Sequence, residues 1–370
     1  MLLPLCDPIA AVTHPDPYPF YAALREAAPV HWLEHRRLWA VASASAVNAV
    51  LHEKAARVRP VTEPVPRFLL GSRAGEVFRA LARMNDGPAH AGQRERVMQG
   101  LRKLTPEVVA AAADRALTHV TNAWRERPDG APLDALITRM PVLSMAAALG
   151  VSSDRWDLVL ACIDDWVSGL SPLADEGRQR GAVEGMERLL ATLGTDDIDD
   201  AAVQVALFMQ PHEATAGLIG NGLLRLMKDA ALRESSLSAG FSWHRFGAEV
   251  LRHDPPVQNT RRFMAADTTL EGACLREGDT VLLLLAAASR DPAVHEAPDE
   301  FRLDRPMPGG LALGAGSHTC PGGDAAVAIA AAVWRHVVGR TPLRPFEDLA
   351  HTVAWRPSVN ARIPVFGPRA

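Results

Sequence analysis

From about residue 85 to about residue 240 the chain repeats one pattern. Apolar residues recur at three- and four-residue spacing in ERVMQGLRKL, PEVVAAAADRALTHVTNAW, DALITRMPVLSMAAALG, RWDLVLACIDDWVSGL, AVEGMERLLATL and DDAAVQVALFM, with Gly, Pro and Asp-rich joints between them. That period gathers apolar side chains on one face of successive helices, and such stripes are buried by packing helix on helix. The flanks differ. Residues 16 to 60 open with PDPYPF, pass through helical YAALREAAP into a hairpin-like HWLEHRRLWAVAS, and continue into a second helix, SAVNAVLHEKA. Residues 257 to 289 hold strand-like runs separated by Glu-Gly and Glu-Gly-Asp turns, and a helix over about 322 to 339 precedes a Pro-rich tail read as β. No repeat or linker marks a boundary, so the expectation is one domain over residues 1–370, mainly α with small β-sheets.

Composition narrows the function. Of 370 residues 48% are hydrophobic and 22% charged, which suits a globular chain rather than a disordered one. The formal net charge of -4 supplies no basic field for nucleic acid. Four cysteines, Cys6, Cys162, Cys274 and Cys320, lack C-x-x-C spacing, which argues against a zinc site or a secreted disulfide framework and for a reducing cytoplasm. The apolar MLLPLCDPIAAV has no basic leader, contains Pro4 and Asp7, and is too short to span a bilayer, so no membrane partner is expected.

The chemistry concentrates in LALGAGSHTCPGGDAAVAIAAAVW. Gly314 and Gly316 let the backbone pass close to a flat ligand, and Cys320 stands just before a helix expected to start at Pro321. A thiolate there is stabilised by the helix dipole and by amide hydrogens; Pro321 has none, which leaves Gly322 and Gly323 as donors. The run from Gly314 to Gly322 resembles the cysteine-ligand loop of the cytochromes P450, including His318 two residues before the cysteine, which bacterial members use against a haem propionate. Leu313 stands where the family usually has Phe, replacing the aromatic shield of the sulfur by an aliphatic one.

The resemblance extends along the chain. Glu249-Val250-Leu251-Arg252 matches the family's E-x-x-R element, and residues three apart share a helix face, so the two form an ion pair that Arg305 of FRLDR completes. His90 and Arg94 in PAHAGQRERV have the H-x-x-x-R spacing of bacterial members, and Arg262 follows the Pro-Pro-Val turn; with His318 these are the expected propionate partners, Arg261 being a neighbour left open. The resemblance implies the cytochrome P450 fold, a triangular helical prism enclosing haem b (iron protoporphyrin IX), with Cys320 as iron ligand and Leu313, Gly314 and Gly322 lining the cofactor. The chain is shorter than typical members, with MKDAALRESSLSAGFSWHRFGA replacing a longer pair of helices.

One element departs from the family. Its central helix carries an acid followed by an alcohol that relay protons, whereas this chain reads Met209-Gln210-Pro211-His212-Glu213-Ala214-Thr215. Glu213 matches the acid and Ala214 occupies the alcohol's position; Gln210-Pro211 replaces a small Ala-Gly pair. Proline lacks an amide hydrogen and crowds the carbonyl of Leu207, so a kink at or before Pro211 is expected. Thr215 lies about 100° further round the helix than Ala214. It faces the haem only if that kink turns it inward, and is otherwise a packing residue. Two classes of function stay open: a monooxygenase or oxidative tailoring enzyme of bacterial secondary metabolism, using dioxygen, a small organic substrate and electrons from a separate ferredoxin and ferredoxin reductase; or a non-standard haem-thiolate enzyme, peroxide-driven, dehydratase, isomerase or coupling.

Overall fold

The computed structural model describes residues 7–126, 132–306, 310–340 and 353–367. Cys6 and, in the Pro-rich tail, residues 341–352 and 368–370 lie outside them. In chain order the helices are α1 (Tyr18–Ala27), α2 (Ala44–His52), α3 (Arg73–Ala80), α4 (Gly87–Arg102), α5 (Pro106–Asn122), α6 (Leu133–Ala148), α7 (Trp156–Leu170), α8 (Glu176–Leu193), α9 (Ile198–Lys228), α10 (Ala230–Ser235), α11 (Trp243–His253), α12 (Leu285–Ala288) and α13 (Gly323–Arg340). The strands are β1 (Val30–Leu33), β2 (Leu38–Val41), β3 (Ala56–Arg57), β4 (Thr260–Met264), β5 (Thr268–Leu270), β6 (Ala273–Leu275), β7 (Thr280–Leu283), β8 (Ala354–Trp355) and β9 (Pro364–Val365). The mainly helical reading with small sheets therefore holds.

Contacts divide the chain into two compact units, each discontinuous in sequence. The first comprises Met1–Val61, Gly220–Cys320 and Val338–Ala370. Its main sheet has the order β1-β2-β7-β4-β3, with β2 and β7 parallel and the other pairs antiparallel. Because side chains alternate across a strand, each face of this sheet has its own core. Val281, Leu283 and Met264 pack with Val47, Val50 and Leu51 of α2, while Leu282 and Leu284 pack with Tyr21, Leu38 and Ala40. Leu311 and Ala315 of the cysteine loop join the first of these cores. Ser43 caps α2 by accepting from Ala46 N, and Ser242 caps α11 by accepting from Arg245 N, as small hydroxyl residues do at helix starts.

The second unit comprises Thr62–Ile219 and Pro321–Val337. Thr105 with Pro106 starts α5, and Asp175 caps α8, which ends on Gly194 at φ +65°. Helices α7 and α8 approach closely through two glycines: a Cβ on Gly169 would meet that of Ala182 at 2.4 Å, and one on Gly185 would meet that of Asp165 at 2.9 Å. Helix α9 runs unbroken through Pro211, so the expected kink does not end it. Residues on both sides of the proline, Val205 to Met209 and Ala216 to Leu224, are buried, and this packing outweighs the missing amide.

Candidate active site

The cysteine loop is built by local hydrogen bonds within the first unit. Residues Gly310–Leu313 and Gly316–His318 form short 3-10 turns, Gly314 N donates to Leu311 O at 2.9 Å, and Cys320 N returns to Leu313 O at 2.8 Å. Leu313 thus meets the cysteine through its backbone. Gly314 and Gly316 have φ of +71° and +66°, a region that side chains disfavour. Gly316 is also sterically fixed, since a Cβ there would lie 2.8 Å from Leu51 O at the end of α2. Helix α13 begins at Gly323 rather than at Pro321: Ala326 N donates to Gly322 O at 3.0 Å, which makes Gly322 the cap and Pro321 part of the turn before it. Cys320 carries an exposed thiol, not a disulfide, immediately before that turn; His318 is half-buried.

Strand register separates the two arginines that the sequence left together. Arg262 pairs with Val281 and Arg261 with Leu282. Arg262 therefore shares the face of Met264 and of the core that includes Leu311 and Ala315, and is 6% exposed. Its guanidinium Nη1 donates to Arg261 O at 2.8 Å and to Thr260 Oγ1 at 3.4 Å. Arg261 takes the opposite face, where burial and, secondarily, Arg36 push its guanidinium pKa down.

Behind the loop Glu249, Arg252 and Arg305 are 1%, 0% and 7% exposed. Arg252 grips Glu249 in a bidentate pair, Nη2 to Oε1 at 2.7 Å and Nε to Oε2 at 2.9 Å, and Arg305 Nε reaches Oε1 at 3.2 Å. The backbone N–H of Arg302 donates to the same Oε1 at 2.9 Å. Burial alone pushes the Glu249 carboxyl up, but the hydrogen bonds from Arg252, Arg302 N–H and Arg305 outweigh it and hold the group below the usual carboxylate range. Spare guanidinium donors go to carbonyls, Arg252 to Pro298 and Glu300, Arg305 to Glu296 and Ala297. The cluster is a staple for the segment leading to the loop and carries no open valence for chemistry.

Sequence reasoning missed a second cluster beside it. Arg290 lies 3.3 Å from the Tyr18 ring centroid and donates to His253 O and to His253 Nδ1 at 2.7 and 2.9 Å. The His253 proton therefore sits on Nε2, which donates to Asp299 O at 3.0 Å. Burial first and Arg290 second push this imidazole down to about 4. Asp254 next to it joins Tyr18 to Arg362, whose guanidinium collects the carbonyls of Val12, His14 and Pro15. No local motif signals these links, which join residues far apart in the chain.

In the second unit His90 lies on α4, 5% exposed, with Arg94 one turn on and half-buried. On α9, Gln210, Pro211, Glu213 and Ala214 are half-buried, whereas Thr215 is 1% exposed and its Oγ1 has no hydrogen-bond partner. The hydroxyl thus stands on a different part of the helix from Ala214. His212 is 3% exposed, and its Nε2 lies 2.6 Å from Asp164 Oδ1 on α7.

These residues fit haem b. In the first unit the exposed thiol would supply a soft donor to iron, the glycine at 316 keeps the loop free of side chain, and Arg262 is a buried donor suited to a carboxylate; in the second unit His90 is a buried donor of the same kind.

A family model described as Cytochrome P450 matches residues 247–329. Cytochrome P450 144 of Mycobacterium tuberculosis is 28% identical over 388 residues, covering 94% of this chain and 87% of that protein. Cytochrome P450 monooxygenase PikC of Streptomyces venezuelae is 27% identical, covering 94% and 89%. Among solved structures, epothilone B-bound cytochrome P450epoK has a TM-score of 0.81 at 20% identity, covering 97% and 98%, and CalO2 a TM-score of 0.77 at 24% identity, covering 98% of each.

Proposed function

Because the chain belongs to the cytochrome P450 family, we propose that it is a monooxygenase or oxidative tailoring enzyme of bacterial secondary metabolism, acting on a small organic molecule with dioxygen and electrons from a separate ferredoxin and its reductase. It is a haem-thiolate oxidoreductase of the monooxygenase type, and its cofactor is haem b. Bound haem supplies activation of the oxidant. The loop around Cys320 carries the reading: Gly314, Gly316 and the Cys320 N to Leu313 O bond present an exposed thiol in a defined direction. Cys320 Sγ would hold the iron, and Leu313, Gly314 and Gly322 would line the cofactor. His90, Arg94, Arg262 and His318 would hold its carboxylates. The whole of residues 1–370 is read as one such domain, as alignment of relatives over 94% of the chain supports. The relationship to a Streptomyces monooxygenase supports the oxidative assignment.

Proton supply falls to Glu213, which is half-buried on α9, acting through water, or to Thr215; alanine at 214 can neither donate nor accept. That alanine also favours a second reading, a peroxide-driven, dehydratase, isomerase or coupling enzyme, because a relay built on Ala214 is absent. The test is turnover with reduced ferredoxin set against turnover with hydrogen peroxide alone. Ferredoxin-driven product that falls with Glu213→Gln supports the first reading. Equal peroxide-driven product with no ferredoxin supports the second. Ala214→Thr then improves product formed per reductant only if the site has room for an alcohol.

A further inference from the structure

Four buried side-chain polar atoms on α9 stand without a hydrogen-bond partner, and two of them, Nδ1 of His212 and Oγ1 of Thr215, lie within one turn of each other. Their side chains are 3% and 1% exposed. Residues three apart on a helix are about 60° apart around its axis, so both atoms belong to one face. The other ring nitrogen of His212 is committed: Nε2 lies 2.6 Å from Asp164 Oδ1, and the Asp164 side chain is 54% exposed. An ionised carboxylate only accepts, so Nε2 carries a ring proton, and in the neutral ring Nδ1 is then a bare lone pair. Beside it is a hydroxyl with nothing to bond. Native interiors rarely leave such groups unsatisfied and fill these places with ordered water.

Helix α7 is well placed to hold the ring still. It is pressed against α8 through Gly169 and Gly185, and Trp166, two residues after Asp164, donates from Nε1 to Met209 Sδ on α9 at 3.4 Å. The carboxylate that orients His212 is therefore mounted on a helix fixed from both sides.

We propose that His212 Nδ1 and Thr215 Oγ1 together bind one internal water, and that His212, balanced by Asp164, stores a proton for that water. The water donates one hydrogen to Nδ1 and accepts one from the Thr215 hydroxyl, which satisfies both atoms. When the ring takes a proton at Nδ1 it becomes an imidazolium between the Asp164 carboxylate and the water. Returning that proton to the water restores the neutral ring protonated at Nε2; the water gives one of its own protons to the Thr215 oxygen as that hydroxyl releases its proton to the group being protonated in turnover, so ring, water and hydroxyl each end neutral. The water site depends on α7 and α9 alone; its use in turnover rests on the haem-thiolate reading. His212 and Asp164 are positioning residues in this scheme.

The experiment uses the haem-loaded protein and its Thr215→Val, Thr215→Ser and Asp164→Asn variants. High-resolution crystal structures show one water within hydrogen-bonding distance of both atoms in the parent and in Thr215→Ser, and its loss in Thr215→Val. Nitrogen NMR of histidine-labelled ferrous carbon monoxide complex shows His212 as the Nε2–H tautomer, and Asp164→Asn draws its two ring shifts together. Thr215→Val lowers the melting midpoint, since Nδ1 loses its water. A dry site overturns the proposal, as does a Thr215→Val protein that melts higher, the result expected when an unsatisfied hydroxyl is removed from dry packing. Ring shifts unmoved by Asp164→Asn overturn the role of the carboxylate. If Thr215→Val does not fold, the water in Thr215→Ser and the ring shifts in Asp164→Asn still decide. A water and tautomer as described in a protein without reductant-driven turnover would overturn the proton store and leave the site.

Discussion

Arg261 and Arg262 are consecutive on β4 yet lie on opposite faces of its sheet, Arg261 across from Leu282 and Arg262 across from Val281. Only Arg262 shares the face against which Leu311 and Ala315 of the cysteine loop pack.

Arg262→Ala is therefore expected to weaken haem retention several-fold, read as haem transfer to apomyoglobin, while Arg261→Ala leaves the transfer rate near that of the parent. Equal rates for the two variants would count against the propionate role of Arg262.

Purified protein should be red, and its reduced carbon monoxide complex should show the red-shifted Soret band of thiolate ligation. Cys320→Ser abolishes that band. Cys162→Ser and Cys274→Ser keep it, because one cysteine is buried on α7 and the other is exposed on the β5–β6 hairpin. A band that survives Cys320→Ser would remove the assignment.

Glu249→Ala leaves Arg252 and Arg305 buried with no carboxylate, and Arg252→Ala strands Glu249 in turn. Breaking a buried pair from one side costs about 3–5 kcal/mol. Both variants should fail to accumulate as haem-loaded protein. Soluble, fully loaded variants with the parent's melting midpoint would show that the staple is dispensable.

Acid sensitivity should come in two stages. The folded His253 pKa of about 4 lies below its unfolded value, so between about 6.5 and 4 the unfolded chain binds a proton that the folded chain does not. Stability then falls as pH drops through that window. Glu249, held low in the fold, adds a contribution that is present above its unfolded value of about 4.3 and lost as pH falls through its lower folded value. Melting midpoints measured from pH 7.5 down to 3.5 check this, and His253→Gln should flatten the upper stage. A parent midpoint constant between 6.5 and 4.5 would contradict it.

What the sequence revealed was local. The cysteine loop is legible because its glycines, cysteine and helix start are neighbours, and Glu249 with Arg252 because three residues span less than one helical turn. The hairpin at β1–β2 and helix α13 were legible through alternation and period. Helix α3 was not, because eight residues with Gly75 inside give too short a pattern. Choosing Arg262 over Arg261 required the register of β4 against β7. The Asp164 to His212 contact joins residues 48 apart, and neither segment signals the other. At Pro211 the local rule foretold a kink, and α9, buried on both sides, continues through the proline without ending.

The parallel pairing of β2 with β7 sets a schedule for synthesis. Trp39 Nε1 donates to Asp279 Oδ2, a partner 240 residues later in the chain. At about 5–20 residues per second a ribosome needs roughly ten to fifty seconds to deliver that partner. Through that interval the hairpin waits with one edge unpaired and with Trp32 and Trp39 packed edge to face across its two strands. Nascent chains stalled before residue 280 should bind a chaperone, and those stalled after the sheet has emerged should release it.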